Sequence, residues 1–130
     1  MISSIRSITL DCAEPELLGQ FWAAAIGYVV EGADAEGASI VSPNDSGPRL
    51  LFLRVPEPKI VKNRMHLDLR PDGSMQAEVE RLEGLGARRV QLVEEDGSRF
   101  TVMQDPEGNE FCVERSLTER EAERQRSGEG

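Results

Sequence analysis

The chain has 130 residues, 38% of them apolar, which is enough for one domain with a core and too few for two large independent ones. Fifteen Lys and Arg against 24 Asp and Glu leave a net charge of −9. The cations are scattered, so nucleic acid is not an expected partner. No apolar run approaches the ~20 residues of a membrane span, and the N-terminus lacks a signal-peptide core, so the expectation is a cytoplasmic protein with no membrane partner.

Residues 5–12 alternate, with Ile8, Leu10 and Cys12 opposite Ser7, Thr9 and Asp11, as a half-buried strand does. Pro15 suits a first helical turn, and Leu17, Leu18, Phe21, Trp22, Ala25 and Ile26 recur at helical spacing. Gly27 ends the run, so a helix is predicted over 14–26 with Trp22 as a core anchor. Three short strands follow at 28–31, 38–42 and 49–55, separated by Gly-rich and Pro-rich turns.

A second cycle starts at 64–69, where Met65, Leu67 and Leu69 alternate with His66 and Asp68. Asp72 or Ser74 is the predicted cap of a helix whose stripe is Met75, Val79, Leu82 and Leu85, and Gly86 ends it. Strands are predicted at 88–93, 99–104 and 110–115, joined by the Asp96-Gly97 and Asp105-Pro-Glu-Gly-Asn109 turns. In the tail, Thr118 and Glu121 have capping-box spacing, and the charged sequence predicts a short, fraying surface helix.

The same order of elements thus occurs twice, and residues repeat with it. ITLDC at 8–12 lays over MHLDL at 65–69, and RLLFLRV at 49–55 over NEFCVER at 109–115. The prediction is an α+β fold of two tandem βαβββ modules, about 5–56 and 63–116, within a domain over 1–116, followed by a charged tail at 117–130. Cys12 and Cys112 are too few for a disulfide scaffold and fall on opposite sheet faces, so they are expected as separate thiols.

With its FWAAAIGY helix end, MHLDL strand and DPEGNEFCVE hairpin, the chain resembles the glyoxalase-like branch of the vicinal-oxygen-chelate superfamily of glyoxalases, bleomycin-resistance proteins and dioxygenases. The resemblance covers about 5–115 and rests on scaffold motifs. It implies that two curved mixed sheets form a cup, that the chain dimerises with a second copy, and that a divalent metal (zinc, nickel, manganese or iron) is the candidate cofactor. His66 and Glu114 match two metal-ligand positions of such proteins. By the internal overlay their first-half counterparts are Thr9 and Arg54, a poor ligand and a cation.

The expected ligand-binding cup therefore holds Thr9, Arg54, His66, Asp68 and Glu114 with an apolar lining of Phe52, Phe100, Val102 and Cys112. Asp68 lies ~7 Å along the strand from His66 and is not expected to converge on the same ion. Arg54 is expected to pair with Glu114, or with Glu114 and His66 together, and stand in for the metal's charge. No residue is singled out as catalytic. The expectation is a protein that binds a small-molecule ligand without a complete metal site. The alternative is a divalent-metal-dependent lyase, isomerase or dioxygenase using His66 and Glu114.

Overall fold

The computed structural model describes residues 1–128 and divides the chain into two units, Met1–Val61 and the part from Lys62 onward. Each unit carries strand, helix and three further strands, so the chain is an α+β protein of two repeated βαβββ modules.

In the first unit Pro15 presets the opening turn of α1 (Pro15–Ile26), and Gly27, at φ 73°, closes it in the left-handed conformation that a side chain would strain. The helix lies on a mixed sheet of β1 (Ser7–Cys12), β2 (Val29–Ala33), β3 (Gly37–Val41) and β4 (Arg49–Arg54), in the order β1-β4-β3-β2. β1 runs parallel to β4, and the other pairs are antiparallel. Gly19 allows the close approach of helix to sheet: a Cβ there would stand 3.1 Å from the Ala38 Cβ and 3.6 Å from the Phe52 ring. Leu18, Trp22, Ile40, Leu50 and Phe52 are buried beneath, and the Phe21 and Trp22 rings meet edge to face at 5.3 Å.

Phe52 is therefore core under α1 and not part of a cup lining, contrary to the sequence expectation. The cause is register. In β4 the α1-facing positions are Leu50 and Phe52, whereas in the last strand of the second unit, β8 (Glu110–Glu114), the helix-facing positions are Phe111 and Val113. RLLFLRV has to slide by one residue against NEFCVER, and such a slip exchanges the two faces of a strand. Leu51 and Leu53, not Arg54, lie on the face that corresponds to Glu114's. Arg54 instead ends β4 on the same side as Phe52, 55% exposed, and bonds Glu36 at 3.4 Å.

The second unit contains β5 (Leu67–Leu69), α2 (Met75–Leu85), β6 (Arg88–Glu95), β7 (Ser98–Gln104), β8 and α3 (Leu117–Arg126), with its sheet in the order β5-β8-β7-β6. Ser74 caps α2 by accepting the Ala77 N–H at 3.0 Å, and Met75, Val79 and Leu82 face the sheet. β5 is shorter than the predicted 64–69, because ahead of Leu67 the chain bonds side chains instead of a strand: Asn63 donates its N–H to Glu110 at 2.9 Å and its side-chain amide to Asn109 at 2.8 Å. In the hairpin before β8, buried Asp105 accepts from the Glu107 and Asn109 backbones, and Gly108 takes φ 86°. Asp96 and Gly97, at φ 51° and 80°, close the β6–β7 hairpin.

The capping box of α3 is Ser116 with Glu119, two residues earlier than the predicted Thr118 and Glu121. β8 delivers the chain straight into the helix at Leu117, so Thr118 is already inside the first turn. Glu119 also accepts the Met75 N–H at 2.9 Å and so caps α2 as well. α3 buries no residue, yet Glu123 ties it to Arg99 and Arg115. Neither cysteine forms a disulfide: Cys12 shares the α1-facing side of its sheet, and Cys112 the side opposite α2. No helix among the described residues is long and apolar enough to cross a membrane.

Candidate functional site

On β8 the alternation that buries Phe111 and Val113 turns Glu110, Cys112 and Glu114 to the other face of the sheet, where they line a cavity of about 560 Å³. Register fixes the rows across it. Asp68 of β5, Cys112 of β8 and Val102 of β7 stand side by side, and Phe100 stands beside Glu114 in the next row. His66 enters just ahead of β5, and its Nδ1 lies 3.0 Å from Asp68 Oδ1.

The cavity thus gathers six of the sequence-predicted residues, His66, Asp68, Phe100, Val102, Cys112 and Glu114. Thr9, Phe52 and Arg54 belong to the first unit. There Thr9 is exposed beside Leu51 on the face opposite α1, while Phe52 and Arg54 have the places already described. The expected Arg54–Glu114 pairing gives way to a partner for each within its own unit: Glu36 for Arg54, and Arg70 for Glu114 at 2.7 Å. Arg70 was legible in principle, because it continues the period-two series His66, Asp68, Arg70 that marks this strand face.

Asp68 also departs from expectation. Despite its two-residue offset it reaches His66, and one ligand atom each from His66, Asp68 and Cys112 lie within 4.8 Å of one another. Cys112 is 8% exposed. Burial pushes its thiol up to about 11, with the Asp68 carboxylate adding in the same direction and Lys62 opposing. In this setting the sulfur is a protonated thiol at neutral pH and not a nucleophile.

At the rim, Arg115 bonds Glu123 and the Gly97 carbonyl, and Arg99 bonds Glu123 at 3.1 Å and Glu94 at 3.0 Å. The Arg115 guanidinium, reinforced by Arg99, holds the Glu123 carboxyl below its usual range. These contacts anchor α3, which sends Arg120 to the cavity wall. Sequence reasoning passed over Arg99, Arg115 and Arg120 because their common destination depends on how the tail helix returns to the sheet.

Residues 7–114 match the family described as a glyoxalase-like domain, and the chain belongs to that family. Its fold is that of the vicinal-oxygen-chelate superfamily. A variant of the fosfomycin resistance protein FosX from Listeria monocytogenes, solved with Mn(II) and 1S,2S-dihydroxypropylphosphonic acid, superposes with a TM-score of 0.70 at 14% identity, covering 96% of this chain and 99% of that one. A glyoxalase/bleomycin resistance protein/dioxygenase family enzyme from Burkholderia phytofirmans gives 0.72 at 14% identity, over 88% and 100%. A protein from Agrobacterium tumefaciens solved by NMR gives 0.70 at 15%, over 89% and 99%. At such identities the likeness shows the fold alone. No curated protein matches the sequence.

Proposed function

We propose that the protein binds a small, partly apolar molecule bearing an anionic group in the cavity on the open face of the second sheet. The observation that carries this reading is charge. In a chain of net charge −9, the cavity wall holds five Lys and Arg against four Asp and Glu. Arg70, Arg99 and Arg115 are bonded to carboxylates, whereas Lys62 and Arg120 form no ion pair among the described residues. Phe100, Val102 and the Cys112 side chain supply an apolar floor, and the volume falls within the roughly 300–1,000 Å³ of small-molecule pockets. The phosphonic acid bound by the structurally similar FosX variant is a ligand of this chemical kind.

The test is thermal stabilisation by phenylphosphonate and benzoate, with benzyl alcohol as the neutral control. The anions are expected to raise the melting temperature and the alcohol to leave it unchanged. Arg120→Ala should weaken the effect several-fold, and Val102→Trp, checked for an unaltered baseline melt, should abolish it by filling the cavity. Equal stabilisation by the alcohol, or an undiminished shift in Val102→Trp, would overturn the proposal.

A second reading, a divalent-metal-dependent lyase, isomerase or dioxygenase, is favoured by the donors that converge at His66. In the pair that the family resemblance implies, His66 with Glu114, one oxygen of the Glu114 carboxylate is bonded to Arg70 at 2.7 Å, and Glu114 is not among the donors that converge with His66. His66, Asp68 and Cys112 fit an ion, offering nitrogen, oxygen and sulfur at short separations. An ion held there would polarise an oxygen of a molecule bound in the cavity.

A further inference from the structure

We propose that His66, Asp68 and Cys112 form a three-ligand site for a borderline-soft divalent ion of the zinc type, with its open coordination position facing the cavity. The inference rests on the reading of this cavity as the functional site, and it replaces the family's expected His66 and Glu114 pair with a different donor set.

Geometry supports the assignment first. Asp68 and Cys112 are register partners on adjacent parallel strands, so backbone hydrogen bonding sets their separation. His66 is brought to the same spot by its contact with Asp68, and the three ligand atoms lie within 4.8 Å of one another. A tetrahedral zinc with bonds of ~2.0–2.3 Å needs its ligands ~3.4 Å apart. The three side chains line an open cavity, so side-chain rotation is the motion that would close the difference.

Donor chemistry supports it second. One imidazole, one carboxylate and one thiolate make the three protein ligands typical of a zinc site that keeps a fourth position open. Sulfur discriminates against manganese and magnesium, which prefer all-oxygen shells. Once deprotonated, Cys112 and Asp68 together supply two negative charges to balance the ion, while Glu114 stays neutralised by Arg70.

The experiment uses full-length, tag-free protein stripped of metal by a chelator and titrated with cobalt(II), then with zinc and manganese(II), in the absence of any organic ligand. The expected result is one cobalt per chain, with intense tetrahedral visible bands and a sulfur-to-cobalt charge-transfer band in the near ultraviolet. Zinc should displace the cobalt and manganese should not. Cys112→Ser should abolish the charge-transfer band. His66→Ala, at a surface position where the metal-free melt should be unchanged, should weaken zinc by more than roughly a hundredfold, since even outer-shell partners are worth tenfold to a hundredfold. Glu114→Gln should retain the band. Absence of the band in the wild type, or its loss in Glu114→Gln with retention in Cys112→Ser, would overturn the inference. Either result would leave the anion-binding proposal to its own test.

Discussion

Replacing Phe52 by alanine tests whether the open face of the first sheet has been assigned correctly. Phe52 is 0% exposed, lies under Gly19 of α1, and is flanked in register by Leu10 and Ala38. Removing a phenyl ring from such a site costs about 3–5 kcal/mol, the lost transfer energy plus the cavity left behind. That is a large part of the ~5–15 kcal/mol holding an ordinary domain together. Leu53, one residue on, points to the opposite face and is 45% exposed, so Leu53→Ala should cost less than about 1 kcal/mol. Urea denaturation followed by circular dichroism measures both, with Phe52→Leu as a milder variant in case the alanine form is too unstable to purify. If Phe52→Ala lay within about 1 kcal/mol of wild type, or Leu53→Ala cost more than Phe52→Ala, the register would be wrong and Arg54 would return to the open face.

Acid should release α3 before it unfolds the sheets. The Glu123 pKa lies below its ordinary 4.5 because of Arg115 and Arg99, so its contribution is complete above 4.5 and is lost as pH falls through the depressed folded value. Hydrogen exchange over α3 should accelerate across that window in the wild type, and Glu123→Gln should exchange fast already at neutral pH. In the metal-free protein on a Cys12→Ser background, Cys112 should react with iodoacetamide at pH 8 about a hundredfold more slowly than an ordinary thiol, as expected from a shift from 9.0 to about 11. Folding raises this pKa, so its stabilising effect is full below 9.0 and fades as pH rises towards 11. Asp68→Asn should accelerate the alkylation, and an unchanged rate would remove Asp68 as a cause of the shift.

The fold was legible because local signals agreed with one another. Pro15 and Gly27 bracket α1, Ser74 and Gly86 bracket α2, and the period-two runs around Ile8 and Leu67 mark the parallel strands. The faces of β8 were legible too, since alternation along the strand alone puts Cys112 and Glu114, which line the candidate cavity, opposite Phe111 and Val113. What failed was alignment between the modules. RLLFLRV is apolar on both faces, so its pattern does not reveal which residues face the helix, and an overlay wrong by one residue sets Arg54 against Glu114 where the strand register sets Val55. Partner choice was illegible for a different reason. Whether Glu114 meets Arg70 or Arg54 depends on side chains far apart in sequence, and strand periodicity says only which face each occupies.

Correcting the register also changes where charge compensation comes from. With Arg54 on the α1 side of its own sheet, the open face of the first module presents Thr9, Asp11, Leu51 and Leu53. The open face of the second carries His66, Asp68, Arg70, Cys112 and Glu114 on two adjacent strands. Two modules of one fold have thus diverged in chemistry, and the cation expected from the first is supplied within the second by Arg70, two residues beyond Asp68. Arg70 neutralises Glu114 and leaves Asp68 to His66, so the strand that brings the nitrogen and oxygen donors together also withdraws the competing carboxylate. On the proposed reading, the choice between His66 with Glu114 and His66 with Asp68 and Cys112 rests on one arginine on β5's own continuation.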